Sequence, residues 1–233
     1  MDWGAVGDSL PSFAGGAWVT FELTLAALAI GMLFALPLAV LRGRPSRWIS
    51  GPVWAFTYVI RGTPLLVQLF LVYYGLGQFD AVRDSALWPW LRSAWFCAIA
   101  AFAINTCAYT IEILHGAMKA VPAGEIEAAQ AMGMPRATLL RRVVLPAALR
   151  RMLPAYGNEV IFMLQASSLA STVTLMDLTG AAREMNSRYY LPFEAFLTAA
   201  VIYLAITTTL VGLFHAAERR WLLPWQASHR DNA

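Results

Sequence analysis

The chain has 233 residues, 59% of them hydrophobic and only 13% charged, where a soluble domain carries roughly 25% charged residues. That balance excludes an ordinary soluble globule and points to an all-α integral membrane protein. The formal net charge is +3, but the basic residues do not form one patch, so nothing suggests a nucleic-acid partner; the expected partner is the lipid bilayer.

The first 16 residues carry Asp2 and Asp8 and no Lys or Arg. The positive n-region of a signal peptide is therefore missing, and this stretch reads as a short external segment. Crossing a hydrocarbon core of about 30 Å takes roughly 20 apolar residues of helix, and five segments qualify: 17–41, 52–77, 94–118, 153–169 and 193–221. The second is interrupted by RGTP at 61–64. Gly62 and Pro64 disfavour a continuous helix there, which leaves two readings: an interfacial helix over 54–60 followed by a crossing, or one long kinked span. The fourth is shorter and more polar, and 167–180 (SSLASTVTLMDLTG) reads as its outer end followed by a turn or re-entrant piece. The two cysteines, Cys97 and Cys107, share one apolar run without a metal-ligand pattern and read as small apolar fillers.

Twelve basic residues fall in the loop 42–47, the insert 119–152 and the end of the chain, against four (Arg83, Arg92, Arg183 and Arg188) in the alternate loops. The positive-inside rule then places the N-terminus outside and the C-terminus, with a tail over 224–233, in the cytoplasm. Trp18, Trp48, Trp54, Trp88, Trp90, Trp95, Trp221 and Trp225 lie at or near the proposed span ends, as an interfacial aromatic belt does.

Polar groups inside the spans are costly and so mark candidate sites. Glu112 and Asn105 lie in the third span, and Glu159 and Gln165 in the fourth. They either hydrogen-bond across helices or line a path. Residues 159, 163 and 167 stand at helical spacing, so Glu159, Met163 and Ser167 are expected to present a carboxylate, a thioether and a hydroxyl to a small cationic zwitterion. Asn105 and Glu112 are further candidates for substrate contact.

The charged insert EIEAAQAMGMPRATLLRRVVLPAAL (125–149) would not sit in lipid. Glu125 and Glu127 fall in a first helical turn, where the macrodipole favours anions. Ile126, Ala129 and Gly133 form a small-residue face, Gly133 suits a left-handed C′ position, and Pro135 opens the next helix. The expectation is two short helices joined at a tight glycine elbow, as a rigid knob or as an amphipathic loop on anionic lipid.

Glu127-Ala128-Ala129, Gly133, Val143 and Leu145-Pro146 stand at the spacing of the EAA signature of ATP-binding-cassette (ABC) importer membrane subunits, with Val143 where that family prefers Ile. IRGTPLLVQL (60–69), NTCAYTIEILHGAMKAVPAGEIEAA (105–129), PAYGNEVIFMLQASSL (154–169) and the stretch 190–222 are similar to the polar amino acid uptake branch, and within it to the M-type permeases of histidine and lysine/arginine/ornithine importers. The resemblance covers about 15–223. It implies a type I importer transmembrane fold with cytoplasmic coupling helices in a bacterial inner membrane. It also implies a second related permease chain, two ATP-binding subunits and a periplasmic solute-binding protein. Glu125, Glu127, Ala128, Ala129, Gly133, Leu145 and Pro146 become the coupling residues. The single lysine, Lys119, lies in GAMKAV, which leaves no Walker A motif. ATP and Mg are then handled by the partner, and this chain is expected to bind no cofactor and catalyse no reaction. A self-contained secondary transporter or channel is the alternative. A haem protein using His115 and His215 is a remote third, since lone histidines at span ends are far more often solvated or capping.

Overall fold

The computed structural model describes residues 3–221. Trp225, Arg230 and the tail 224–233 lie outside them. Within them the chain is helical, with no strand.

Helix α1 (Trp3–Arg42) is continuous, so the segment 1–16, expected as a separate external piece, is helical from Trp3 onward. At 1.5 Å per residue α1 is about 60 Å long, twice the thickness of a hydrocarbon core. A turn leads to α2 (Arg47–Arg61), and α3 (Leu65–Phe70) continues through a π turn and a 3-10 turn to Gln78. The short α4 (Asp80–Arg83) and α5 (Trp88–Leu91) precede the long α6 (Ala94–Lys119). The insert holds α7 (Ala123–Ala131), α8 (Arg136–Leu139), a π turn over Leu140–Val144 and α9 (Leu145–Arg151). Then come α10 (Leu153–Ala166) with a 3-10 extension to Val173, α11 (Leu178–Tyr189) and α12 (Pro192–Trp221).

Three of these helices, α1, α6 and α12, are long and apolar enough to cross a membrane singly. Two further helix pairs are long and apolar enough only when taken together, and both are bent: α2 with 65–78 by 100°, and 153–173 with α11 by 47°. The RGTP break turns the chain through about a right angle, so 52–77 is two helical pieces with a sharp corner between them. The fourth segment likewise runs past 169 as a 3-10 turn to Val173 before α11.

The bundle forms around α1 and α6, which lie side by side and run in the same direction. Gly31 meets Ala103, Thr106 and Cys107, and Gly43 meets His115. A Cβ on Gly31 would stand 2.5 Å from the Thr106 methyl and 3.2 Å from the Ala103 carbonyl oxygen. Glycine here lets two backbones approach, as in membrane helix pairs generally. Three apolar clusters stack along the bundle. One is built on Phe13, Leu178 and Met185, one on Leu23, Leu69, Phe102 and Met163, and one on Ala35, Ile111, Leu114 and Met152. Cys97 and Cys107 are buried free thiols within this packing. Helix α12 runs back antiparallel to α10, with Tyr203 near Asp177 and Phe214 against Gly157. The basic residues of the 42–47 turn, the end of α6, the insert and the end of α12 therefore gather at one end of the bundle.

The bend between 173 and α11 has its own anchor. Thr174 takes a left-handed φ of 69°, and the buried Asp177 caps α11 by accepting from the backbone N–H groups of Gly180 (2.9 Å) and Thr179 (3.2 Å). Tyr203 donates to the same carboxylate at 3.3 Å, and Thr20 on α1 accepts from the Leu178 N–H at 3.1 Å. Gly16 completes this joint, since a Cβ there would stand 2.7 Å from the Asp177 carbonyl oxygen.

Gly31→Val should force α1 away from α6 and destabilise the protein by about 1–3 kcal/mol, the usual cost of overpacking. Gly7, which has nothing within 4 Å of its missing Cβ, should tolerate Ala without loss. Unfolding midpoints in a detergent titration measure both.

Candidate functional site

The RGTP break frees backbone carbonyls that an unbroken helix would pair, and at membrane depth these need partners inside the protein. Gln68, one turn into α3, supplies them. Its amide nitrogen donates to the carbonyl oxygens of Ile60 (2.6 Å) and Thr63 (3.1 Å) and to the Thr63 hydroxyl (2.8 Å). Its amide oxygen accepts from Asn105 Nδ2 on α6 at 3.0 Å. Gly62 closes α2 by donating to the Tyr58 carbonyl, and a Cβ there would stand 2.8 Å from that same oxygen. Sequence reasoning missed Gln68. The available signal was a single amide in the apolar run LLVQLF directly after a broken helix.

The break forms one wall of a cavity of about 570 Å³, contributed by Arg61, Gly62, Thr63 and Pro64. The opposite walls are Asn105 and Tyr109 of α6, and Glu159, Phe162, Met163 and Ala166 of α10. The Arg61 guanidinium lies over the Tyr109 ring, 5.1 Å from its centroid. Glu159 is buried at 6% exposure with Thr106 and Arg61 as its polar neighbours. A carboxylate, a guanidinium, an amide and two aromatic rings thus share one cavity, a combination that can hold a small molecule carrying charges of both signs.

Of the five residues expected at a substrate, Glu159, Met163 and Asn105 line this cavity, and Ser167 and Glu112 do not. Ser167 is wholly buried and donates to the Leu164 carbonyl at 2.6 Å. Each i+4 step on an α-helix drifts by about 40°, so Ser167, two steps beyond Glu159, has rotated off the face while Ala166 stays on it. Glu112 instead accepts from Arg42 Nε at 3.0 Å and from the Thr57 hydroxyl at 2.7 Å, through the same oxygen. It ties α1, α2 and α6 together and borders a smaller cavity of about 290 Å³ that Arg61 also lines.

In the insert, α7 ends in a Schellman motif. Gly133 N–H donates to the Gln130 carbonyl (2.9 Å), Met134 N–H donates to the Ala129 carbonyl (3.1 Å), and Gly133 has φ of 75°. Pro135 then opens α8 in extended conformation. The second arm is longer than the short helix expected. A π turn before Pro146 absorbs the missing N–H, and α8, α9 and α10 follow one another to Glu159 with only brief interruptions. Glu127, Ala128, Met132 and Pro146 are exposed, Glu125 and Leu145 are half-buried, and Ala129 is buried. Of the small-residue face, Ala129 packs within the chain, and the outward surface of α7 is carried by Glu127, Ala128 and Met132.

A family model described as "binding-protein-dependent transport system inner membrane component" matches residues 19–222. The octopine transport system permease protein OccM of Rhizobium meliloti is 45% identical over 203 residues, covering 87% of this chain and 83% of that protein. The histidine/lysine/arginine/ornithine transport system permease protein HisM of Salmonella typhimurium LT2 is 47% identical over 208 residues, covering 89% and 88%. Among solved structures, an amino acid ABC transporter with histidines superposes with a TM-score of 0.85 at 37% identity, over 94% of this chain and 99% of that one. The MetNI methionine ABC transporter shares the fold, with a TM-score of 0.74 at 18% identity over 90% and 95%.

Gln68→Leu should remove the donor shared by the Ile60 and Thr63 carbonyls and leave the buried Asn105 amide without its partner, at about 1–3 kcal/mol for that buried group. The expected result is a lower unfolding midpoint and earlier proteolysis at 61–64 in the Gln68→Leu protein.

Proposed function

The chain belongs to the family of binding-protein-dependent transport system inner membrane components and is the permease subunit of an amino acid ABC importer; from that premise we propose that its cargo is a cationic amino acid, carried through the cavity between Arg61 and Glu159. The observation that carries the proposal is the meeting of opposite charges in one cavity with aromatic walls. Arg61 and the polar rim of the break take the cargo's carboxylate. Glu159 takes its cationic side chain, with Tyr109 and Phe162 flanking the aliphatic part. The name of the Salmonella relative, which cites histidine, lysine, arginine and ornithine, supports the same class.

The remaining assembly follows the family. The chain crosses the inner membrane five times, with its N-terminus outside and its basic end in the cytoplasm. It pairs with a second related permease, and two ATP-binding subunits dock beneath them. A periplasmic binding protein delivers the cargo. Hydrolysis of ATP with Mg belongs to those docked subunits. The insert is the coupling element: Glu127, Ala128 and the Gly133 elbow enter the ATP-binding subunit, with Glu125, Leu145 and Pro146 shaping the base. The elbow is fixed by its two Schellman hydrogen bonds, so movement of the knob passes as a rigid displacement into the arm from Arg136 to Ala166. That arm carries Glu159, and shifting it against the Gln68-braced break opens the cavity to one side or the other.

In proteoliposomes holding the whole transporter, Glu159→Gln should lower arginine uptake by at least about tenfold, since loss of a buried charge partner costs about 2–5 kcal/mol. ATP hydrolysis stimulated by the binding protein should persist. Unchanged uptake would remove Glu159 from the path.

Nothing lies within 4 Å of the missing Gly133 Cβ, so substitution there costs backbone conformation alone, about 1–2 kcal/mol for a left-handed residue. Gly133→Val should reduce uptake per ATP hydrolysed. Gly133→Asn, which tolerates that conformation, should retain it. Equal behaviour of the two variants would refute the rigid elbow.

A further inference from the structure

A second cavity, of about 590 Å³, lies at the basic end of the bundle, apart from the one that holds Glu159. Three cationic side chains reach it from separate segments: Arg44 from the turn after α1, Lys119 from the end of α6 and Arg136 from the start of α8. None of the three forms an ion pair among the described residues. Among the described residues no carboxylate lines the cavity, and Glu112, one turn from His115 on α6, already accepts from Arg42 and Thr57. His115 also lines the cavity, is only 7% exposed, and its Nδ1 has no hydrogen-bond partner. The rest of the wall is apolar, with Val40 and Leu140 prominent.

Like charges brought together from three segments without a counter-ion repel one another, and an anion relieves that repulsion. The apolar wall says what kind of anion. Free phosphate or a nucleotide gains nothing from Val40 and Leu140, whereas a lipid headgroup brings a phosphate and an apolar root together. Trp48, 92% exposed on the first turn of α2, marks this end of the bundle as the level of an interface, where indole rings settle. Basic pockets between helices at that level hold anionic headgroups. We propose that Arg44, Lys119 and Arg136 bind the phosphate of an anionic phospholipid, with its glycerol and upper acyl chain against Val40 and Leu140. The lipid wedges between α1, α6 and α8 and so fixes the base of the insert to the bundle. The proposal is independent of the cargo.

The test uses the full chain in nanodiscs of equal phosphatidylglycerol and phosphatidylcholine, with the lipid retained on release read by native mass spectrometry. Wild type should keep one phosphatidylglycerol. Arg44→Gln, Lys119→Gln and Arg136→Gln combined should weaken retention roughly 100-fold, at about fivefold per basic residue. The control Arg47→Gln, Arg141→Gln and Arg142→Gln removes the same charge outside the cavity and should keep the lipid; equal loss would show diffuse attraction and overturn the site. Ala137→Trp fills the cavity without changing charge and should also expel the lipid, which separates occupancy from misfolding. Retention by that variant overturns the proposal. In phosphatidylcholine discs, inorganic phosphate should not bind; saturable binding of phosphate alone would assign the site to a free anion instead.

Discussion

The structure depends on one requirement: backbone exposed by a broken helix at membrane depth must find its hydrogen bonds inside the protein. Gln68 meets it. One side chain joins the end of α2, the loop at Thr63 and Asn105 of α6. With those carbonyls satisfied, the chain can turn through 100° and leave a polar rim beside a cavity, where an unbroken helix would leave only side-chain surface. Arg61, at the end of α2, is thereby held over Tyr109 and faces Glu159. The irregularity that breaks the helix between α2 and α3 is what builds the cavity wall.

The same logic of local breaks with fixed geometry governs the insert. The elbow at Gly133 is a closed hydrogen-bonded motif with positive φ, and Pro146 is accommodated by a π turn rather than by ending the helix. The knob and the Glu159 helix are therefore joined by a nearly continuous arm. Toward the opposite end of the bundle, Asp177 plays the matching part, capping α11 while Tyr203 of α12 reaches it and Thr20 of α1 accepts from the neighbouring Leu178 N–H. Between these two anchors α1 and α6 form a close-packed spine, set by Gly31 against Thr106. Motion is thus expected where the structure is hinged, at the break and the arm, and not in the spine.

Much of this was legible early. Apolar run length marked α1, α6 and α12, and the basic residues that separate the runs do gather at one end of the bundle. The glycine elbow was readable because left-handed backbone strongly selects glycine. Glu159 and Met163 were readable because one i+4 step keeps two residues on nearly the same helix face. Ser167 was not, because a second step carries it too far round, and Glu112 was not, because its partners Arg42 and Thr57 lie 70 and 55 residues away in sequence. The small-residue face at Ala129 was readable, but helical spacing does not say that it packs within the chain, as it does.

The sequence by itself determined the membrane class, the family and the local conformations that a single residue type dictates, since composition, motif spacing and backbone sterics act over a few residues. Only the tertiary structure decided which polar groups face the same space. Gln68 reaching Ile60 and Asn105, Arg61 and Glu159 opposed across a cavity, and three unpaired cations converging at the end of α6 all depend on distances between segments. Those distances are set by helix crossing and by the angle of a break, quantities that no local pattern of residues encodes.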